Sequence, residues 1–146
     1  MRRAVLLVVV AAAVLALAGG MVLAESKTCA TLDCVCTREA DTMTGRDNAS
    51  DRIAGMEGDD QIDGGESSDT LYGDEGNDTI RDDSGALDAD TAYGDEGNDT
   101  IHVEEFNGAA AGDTVNCGPG TKDRVFFDKG VDTIHKSCEI RKPAQQ

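Results

Sequence analysis

A nine-residue motif recurs through the middle of the chain. Gly73-Asp-Glu-Gly-Asn-Asp-Thr-Ile-Arg81, Gly94-Asp-Glu-Gly-Asn-Asp-Thr-Ile-His102 and Gly55-Met-Glu-Gly-Asp-Asp-Gln-Ile-Asp63 share glycine at positions one and four, aspartate at six and isoleucine at eight. Gly64-Gly-Glu-Ser-Ser-Asp-Thr-Leu-Tyr72 is a fourth copy, with Ser67 replacing the second glycine. Self-similarity at a fixed short period restricts a chain to a stacked, quasi-one-dimensional fold. Weaker copies continue the position-six ladder as Asp41, Asp51, Asp60, Asp69, Asp78, Asp90, Asp99, Asp113, Asp123 and Asp132. Five of its nine steps are nine residues long, and the longer ones hold insertions such as Asp82-Asp-Ser84 and Val103 to Asn107. Two residues after each aspartate stands Met43, Ile53, Ile62, Leu71, Ile80, Ala92, Ile101, Val115, Val125 or Ile134, all apolar in a chain that is 39% apolar. Ten chance draws would give that roughly once in ten thousand, so the alternation carries structure.

Within one motif the last three residues, such as Thr79-Ile80-Arg81, read polar, apolar, polar: a short strand with one side chain turned inward. The glycine-bearing first six make a tight turn. Strand and turn at a fixed period predict an all-β solenoid in which equivalent turns stack on neighbouring coils.

Stacking these turns raises an electrostatic problem that points to the ligand. Between Gly55 and His102 there are 16 acidic residues and one basic residue, Arg81. Two unit charges about 4 Å apart repel by about 4 kcal/mol at an effective dielectric near 20. A column of aspartates therefore needs a cation. Carboxylates and backbone carbonyls are all oxygen donors, which suits Ca²⁺ with its six to eight flexible contacts better than Mg²⁺ with its rigid octahedron. The formal charge of −16 across 146 residues also excludes nucleic acid as a partner, since a phosphate backbone requires a basic footprint.

These residues resemble the haemolysin-type calcium-binding repeats, the RTX nonapeptides Gly-Gly-x-Gly-x-Asp-x-apolar-x. The resemblance runs from about Cys36 to His135 and is strongest from Gly55 to Ile80 and from Gly94 to Ile101. It implies a right-handed parallel β-roll of 18-residue coils, with several Ca²⁺ ions held between turns two repeats apart. The side-chain ligands it implies are Asp60, Asp69, Asp78 and Asp99, with Asp51 and Asp90 in second rank. Backbone carbonyls around Gly55, Gly58, Gly64, Gly73, Gly76, Gly94 and Gly97 would complete the shells. The outer repeats lack their glycines, at Ala49, Asp88 and Ala111. The chain also resembles small secreted bacterial calcium-binding proteins built of such repeats, through the opening segment Ala40-Asp-Thr-Met-Thr-Gly45 and the closing segments Cys117-Gly-Pro-Gly120, Asp123-Arg-Val125 and Cys138-Glu139.

The expected organisation is a signal peptide over 1–24, a cysteine-containing cap over 25–44, the roll over 45–135 with its best repeats at 55–102, and a tail over 136–146. Arg2 and Arg3, the apolar run from Ala4 to Ala18 and Val22-Leu23-Ala24 read as charged, hydrophobic and cleavage regions. An uncleaved membrane anchor is the competing reading of the same segment. Five cysteines beyond residue 24 fit an oxidising, extracellular location. Cys117 and Cys138 bracket the final two repeats, and a bridge between them would contribute about 3 kcal/mol while closing the end of the roll. Cys29, Cys34 and Cys36 leave one thiol over after a single bridge, and as a zinc site they lack a nearby fourth ligand.

Competing motifs fail on spacing. Asp59, Gln61, Asp63 and Gly64 open like an EF-hand loop, but its twelfth position is Thr70 rather than Glu. His102 and His135 fall at position nine, beside the inward residue, and are expected outward and solvated. Phe106, Phe126 and Phe127 are expected to cover the C-terminal end. No nucleophile elbow, zincin helix or phosphate loop is present, and nothing singles out one carboxylate pair for glycoside hydrolysis. The expectation is a secreted, monomeric, non-enzymatic calcium-binding protein whose folding is linked to metal. The alternative is a calcium-dependent adhesion or matrix module that binds a cell-surface or polysaccharide partner.

Overall fold

The computed structural model describes residues 26–28, 33–82, 88–105 and 111–144. Its strands alternate between two parallel sheets, so each coil gives one strand to each. The seven-stranded sheet holds β1 (Ser26–Thr28), β3 (Thr42–Thr44), β5 (Gln61–Asp63), β7 (Thr79–Arg81), β9 (Thr100–His102), β11 (Arg124–Phe127) and β13 (Ile140–Pro143) in that order. The six-stranded sheet holds β2 (Asp33–Val35), β4 (Arg52–Ala54), β6 (Thr70–Glu75), β8 (Thr91–Glu96), β10 (Thr114–Asn116) and β12 (Thr133–Ile134). The architecture is the all-β solenoid that the periodicity predicts, with the parallel strands of the roll that the resemblance implies, and no helix occurs among the described residues. Residues 1–24, the expected signal segment, lie outside them.

The core follows from the pleat. A three-residue strand with a central apolar residue points only that side chain inward, and in-register pairing stacks these centres into two facing columns. One runs Met43, Ile62, Ile80, Ile101, Val125. The other runs Ile53, Leu71, Ala92, Val115, Ile134. All are buried except Ile134, which is half-buried at the last coil.

Insertions do not break the ladder. The register step grows from 18 residues (Arg52↔Thr70) to 21 (Thr70↔Thr91) and 23 (Thr91↔Thr114) while the pairing stays parallel. Pairing also runs past 45–135: β1 pairs with β3 and β13 with β11. A disulfide joins Cys117 to Cys138 across 21 residues. Cys34 is disulfide-bonded and Cys36 keeps its thiol, whereas Cys29 lies outside the described residues.

Outside the sheets the same register builds side-chain columns. Tyr72 stacks on Tyr93 with centroids 4.9 Å apart, and Arg52 lies over Tyr72. His102 stacks on Phe126 at 4.3 Å, so it is half-buried rather than solvated, while His135 is exposed. Phe126 accordingly sits on the outer face, because its partner in register is position nine of the neighbouring coil. Phe127 packs against the core and Phe106 lies outside the described residues.

Candidate metal centre

Two rims of turns join the sheets. The first holds the segments 55–60, 73–78, 94–99 and 117–123, leading from the six-stranded to the seven-stranded sheet; among the described residues the second holds 45–51, 64–69, 82, 88–90, 103–105 and 111–113. Position six ends each turn, so its aspartate enters at the rim beside the inward apolar residue. Asp41, Asp51, Asp60, Asp69, Asp78, Asp90, Asp99, Asp113 and Asp123 are all at most 4% exposed.

From Asp60 onward, one oxygen of each carboxylate in the ladder serves the stack. On the first rim Asp60 Oδ1 accepts the Asp41 N–H at 2.7 Å, Asp78 Oδ1 that of Asp60 at 2.8 Å, Asp99 Oδ1 that of Asp78 at 2.9 Å, and Asp123 Oδ1 that of Asp99 at 2.9 Å. On the second rim Asp69, Asp90, Asp113 and Asp132 do the same for Asp51, Asp69, Asp90 and Asp113. The ladder thus satisfies backbone donors that a solenoid turn would otherwise bury unpaired.

The other oxygen has no such duty. Oδ2 of Asp60, Asp69, Asp78, Asp82, Asp99, Asp113 and Asp123 is buried and accepts no hydrogen bond. Position one explains where these oxygens point. A Cβ built on Gly73 would stand 2.3 Å from Asp78 Oδ2 and 2.6 Å from the Gly94 carbonyl oxygen. Gly55 faces Asp60 Oδ2 and the Gly73 carbonyl at the same two distances, and Gly94 faces Asp99 Oδ2 and the Cys117 carbonyl at 2.3 and 2.8 Å. Three successive turns of the first rim therefore aim a carboxylate oxygen and a backbone carbonyl into space that only a missing side chain leaves open. Position four has a different role. Gly76 sits at φ +149°, and a Cβ there would lie 1.8 Å from the Gly58 carbonyl oxygen. Gly58, Gly76 and Gly97 form this separate column, where stacked backbones approach too closely for any side chain. Ser67 occupies the equivalent place at φ +86°, a conformation that costs an L-residue about 1–2 kcal/mol.

The second rim departs from this scheme. Gly64 faces Asp82 Oδ2 at 2.4 Å and Asp69 Oδ2 at 3.0 Å, so a side chain from position one of the next coil replaces the carbonyl. Asp69, Asp82 and Asp90 bring one carboxylate oxygen each within 4.8 Å of one another. Asp51 is engaged differently: Arg46 donates to it through its backbone N–H at 2.6 Å and its guanidinium Nε at 2.8 Å. Thr37 donates to Asp41 through N–H and hydroxyl, and the Asp128 N–H donates to Asp132 Oδ2. Asp41, Asp51 and Asp132 are therefore completed from within their own turns.

Burial and mutual repulsion show in the proton affinities. Asp69, Asp78, Asp99 and Asp113 are raised to about 7, chiefly by desolvation and further by neighbouring carboxylates, against the lowering effect of the backbone N–H each accepts. Asp82 is raised to about 10 by desolvation and by Asp90, Asp69, Asp113 and Asp88. A hard cation removes this penalty because it favours the ionised carboxylate. The donor set, carboxylate and carbonyl oxygens only, fits Ca²⁺.

Asp82, Asp113 and Asp123 carry unpartnered oxygens beyond the residues that motif reading selects. The signal for Asp82 is in the numbering: it stands nine residues after Gly73, in phase with Gly55 and Gly64. Asp113 and Asp123 belong to the same ladder but follow irregular turns, where glycine counting gives no guide. Residues 46–80 and 84–109 match the family model of the RTX calcium-binding nonapeptide repeat, in four copies. No curated protein and no solved structure matches the chain.

Proposed function

With residues 46–80 and 84–109 made of RTX calcium-binding nonapeptide repeats, we propose that the chain is a secreted, non-enzymatic calcium-binding roll that folds as it takes up several Ca²⁺ ions. The observation that carries this reading is the set of buried Oδ2 atoms without a donor, three of them aimed at a backbone carbonyl across an open glycine. On this reading Asp60, Asp78 and Asp99 are ligands of the first rim, with carbonyls from Gly73, Gly94 and Cys117, and Asp69 with Asp90 serves the second. Asp51 passes from the ligand set to Arg46, whose guanidinium already supplies a cation there. Scarce cytosolic Ca²⁺ would leave the chain unfolded for export, and millimolar external Ca²⁺ would drive folding by mass action.

The test is a calorimetric Ca²⁺ titration followed in parallel by circular dichroism. Several ions should bind as the spectrum moves from coil to β, and Mg²⁺ should not substitute. A chelated protein with the β spectrum and a cooperative melt at pH 8 would refute the reading. A second reading, an adhesion module presenting the half-buried Tyr72–Tyr93 column on the sheet's outer face to a polysaccharide or cell surface, rests on that stacking. It predicts calcium-dependent retention on such a surface.

A further inference from the structure

We propose that Asp69, Asp82 and Asp90 form a three-carboxylate cation site on the second rim, distinct in composition from the glycine cradles of the first and the tightest Ca²⁺ site of the chain. The inference rests on the calcium reading above and adds a ligand that the nonapeptide pattern does not contain. Position one is glycine in the turns beginning at Gly55, Gly64, Gly73 and Gly94, and aspartate at residue 82. Asp82 is 3% exposed, and neither its Oδ2 nor that of Asp69 accepts a hydrogen bond. Both oxygens converge beside Gly64, where a Cβ would meet them at 2.4 and 3.0 Å.

The rim ladder holds the other members in place, since Asp69 Oδ1 takes the Asp51 N–H and Asp90 Oδ1 the Asp69 N–H. The three oxygens lie within 4.8 Å of one another, a span that two Ca–O bonds of about 2.4 Å bridge. On the first rim each of Gly55, Gly73 and Gly94 faces one carboxylate and one carbonyl. Here three carboxylates meet, and ligand charge count is what raises affinity among calcium sites of similar size.

The experiment is calorimetric titration with Ca²⁺, and with Tb³⁺ in competition, on the full chain and on Asp82→Asn, Asp82→Gly and Asp63→Asn. The wild type should show one class of site tighter than the rest. Asp82→Asn should weaken that class by about tenfold or more and leave the remaining ions in place. Asp82→Gly, which restores the residue of the other cradles and so keeps the turn foldable, should merge the class with the weaker ones. Asp63→Asn removes the same charge from an exposed strand position and should change neither. If both Asp82 variants keep the tight class and the full stoichiometry, the three-carboxylate assignment is overturned while the calcium reading stands. If the wild type takes up no Ca²⁺, both fall.

Discussion

Removing calcium should make the stability of this protein depend steeply on pH, and in the direction opposite to ordinary acid denaturation. Asp69, Asp78, Asp99 and Asp113 are raised in the folded chain from 3.8 to about 7. The metal-free fold therefore holds more protons than the unfolded chain between about pH 4 and 7, and its stability falls as pH rises through that window. Below pH 4 the carboxyls are neutral in both states and the penalty vanishes. Three pH units at 1.36 kcal/mol each set an upper value of about 4 kcal/mol per group. Water reaching the rims screens part of that, leaving about 2 kcal/mol per group, or about 8 kcal/mol for the four. Domains of this kind hold only about 5–15 kcal/mol in total. Metal-free protein should accordingly be unfolded at pH 8 and gain β structure on acidification towards pH 5. Ca²⁺ at a hundredfold excess over its dissociation constant returns about 2.7 kcal/mol per site, a similar amount per carboxylate, and should flatten the profile. The assay is the urea midpoint by circular dichroism from pH 4.5 to 8.5 on metal-stripped protein, with and without Ca²⁺. A metal-free midpoint that holds steady or rises between pH 5 and 8 would refute the reasoning.

The two glycine columns should respond differently to a methyl group. Gly73→Ala places a Cβ 2.3 Å from Asp78 Oδ2 and should abolish one Ca²⁺ in calorimetry. Gly76→Ala drives a Cβ to 1.8 Å from the Gly58 carbonyl at positive φ and should cost about 3 kcal/mol in urea melts even at saturating Ca²⁺. Arg46→Met strips a fully buried Asp51 carboxylate of its guanidinium partner while leaving the backbone N–H in place, and thermal melts should show a loss of about 3 kcal/mol. Replacing Cys117 and Cys138 by serine should remove about 3 kcal/mol from the calcium-loaded roll, read as a lower urea midpoint.

How much was legible in one dimension follows from the range of each interaction. Position eight is inward and position six reaches the rim because three consecutive residues in a pleat settle it, so the ladders from Met43 to Val125 and from Asp41 to Asp123 could be written down from periodicity alone. The same local logic foresaw turns at the glycines and a solenoid of stacked coils. It could not say that Asp51 belongs to Arg46 or that Asp123 has an unpartnered oxygen like that of Asp78.

By itself, then, the sequence determined the coil, its inward face and the need for positive charge, since those depend on neighbours along the chain. The tertiary structure alone decided which carboxylate oxygens remain open. Each inner Oδ1 is taken by the N–H of an aspartate one coil away, 18 to 24 residues off along the chain, and the Oδ2 beside it is left open. Asp82 is the clearest case. In one dimension it opens an insertion, and only stacking on the coil of Gly64 turns its carboxylate towards Asp69 and Asp90.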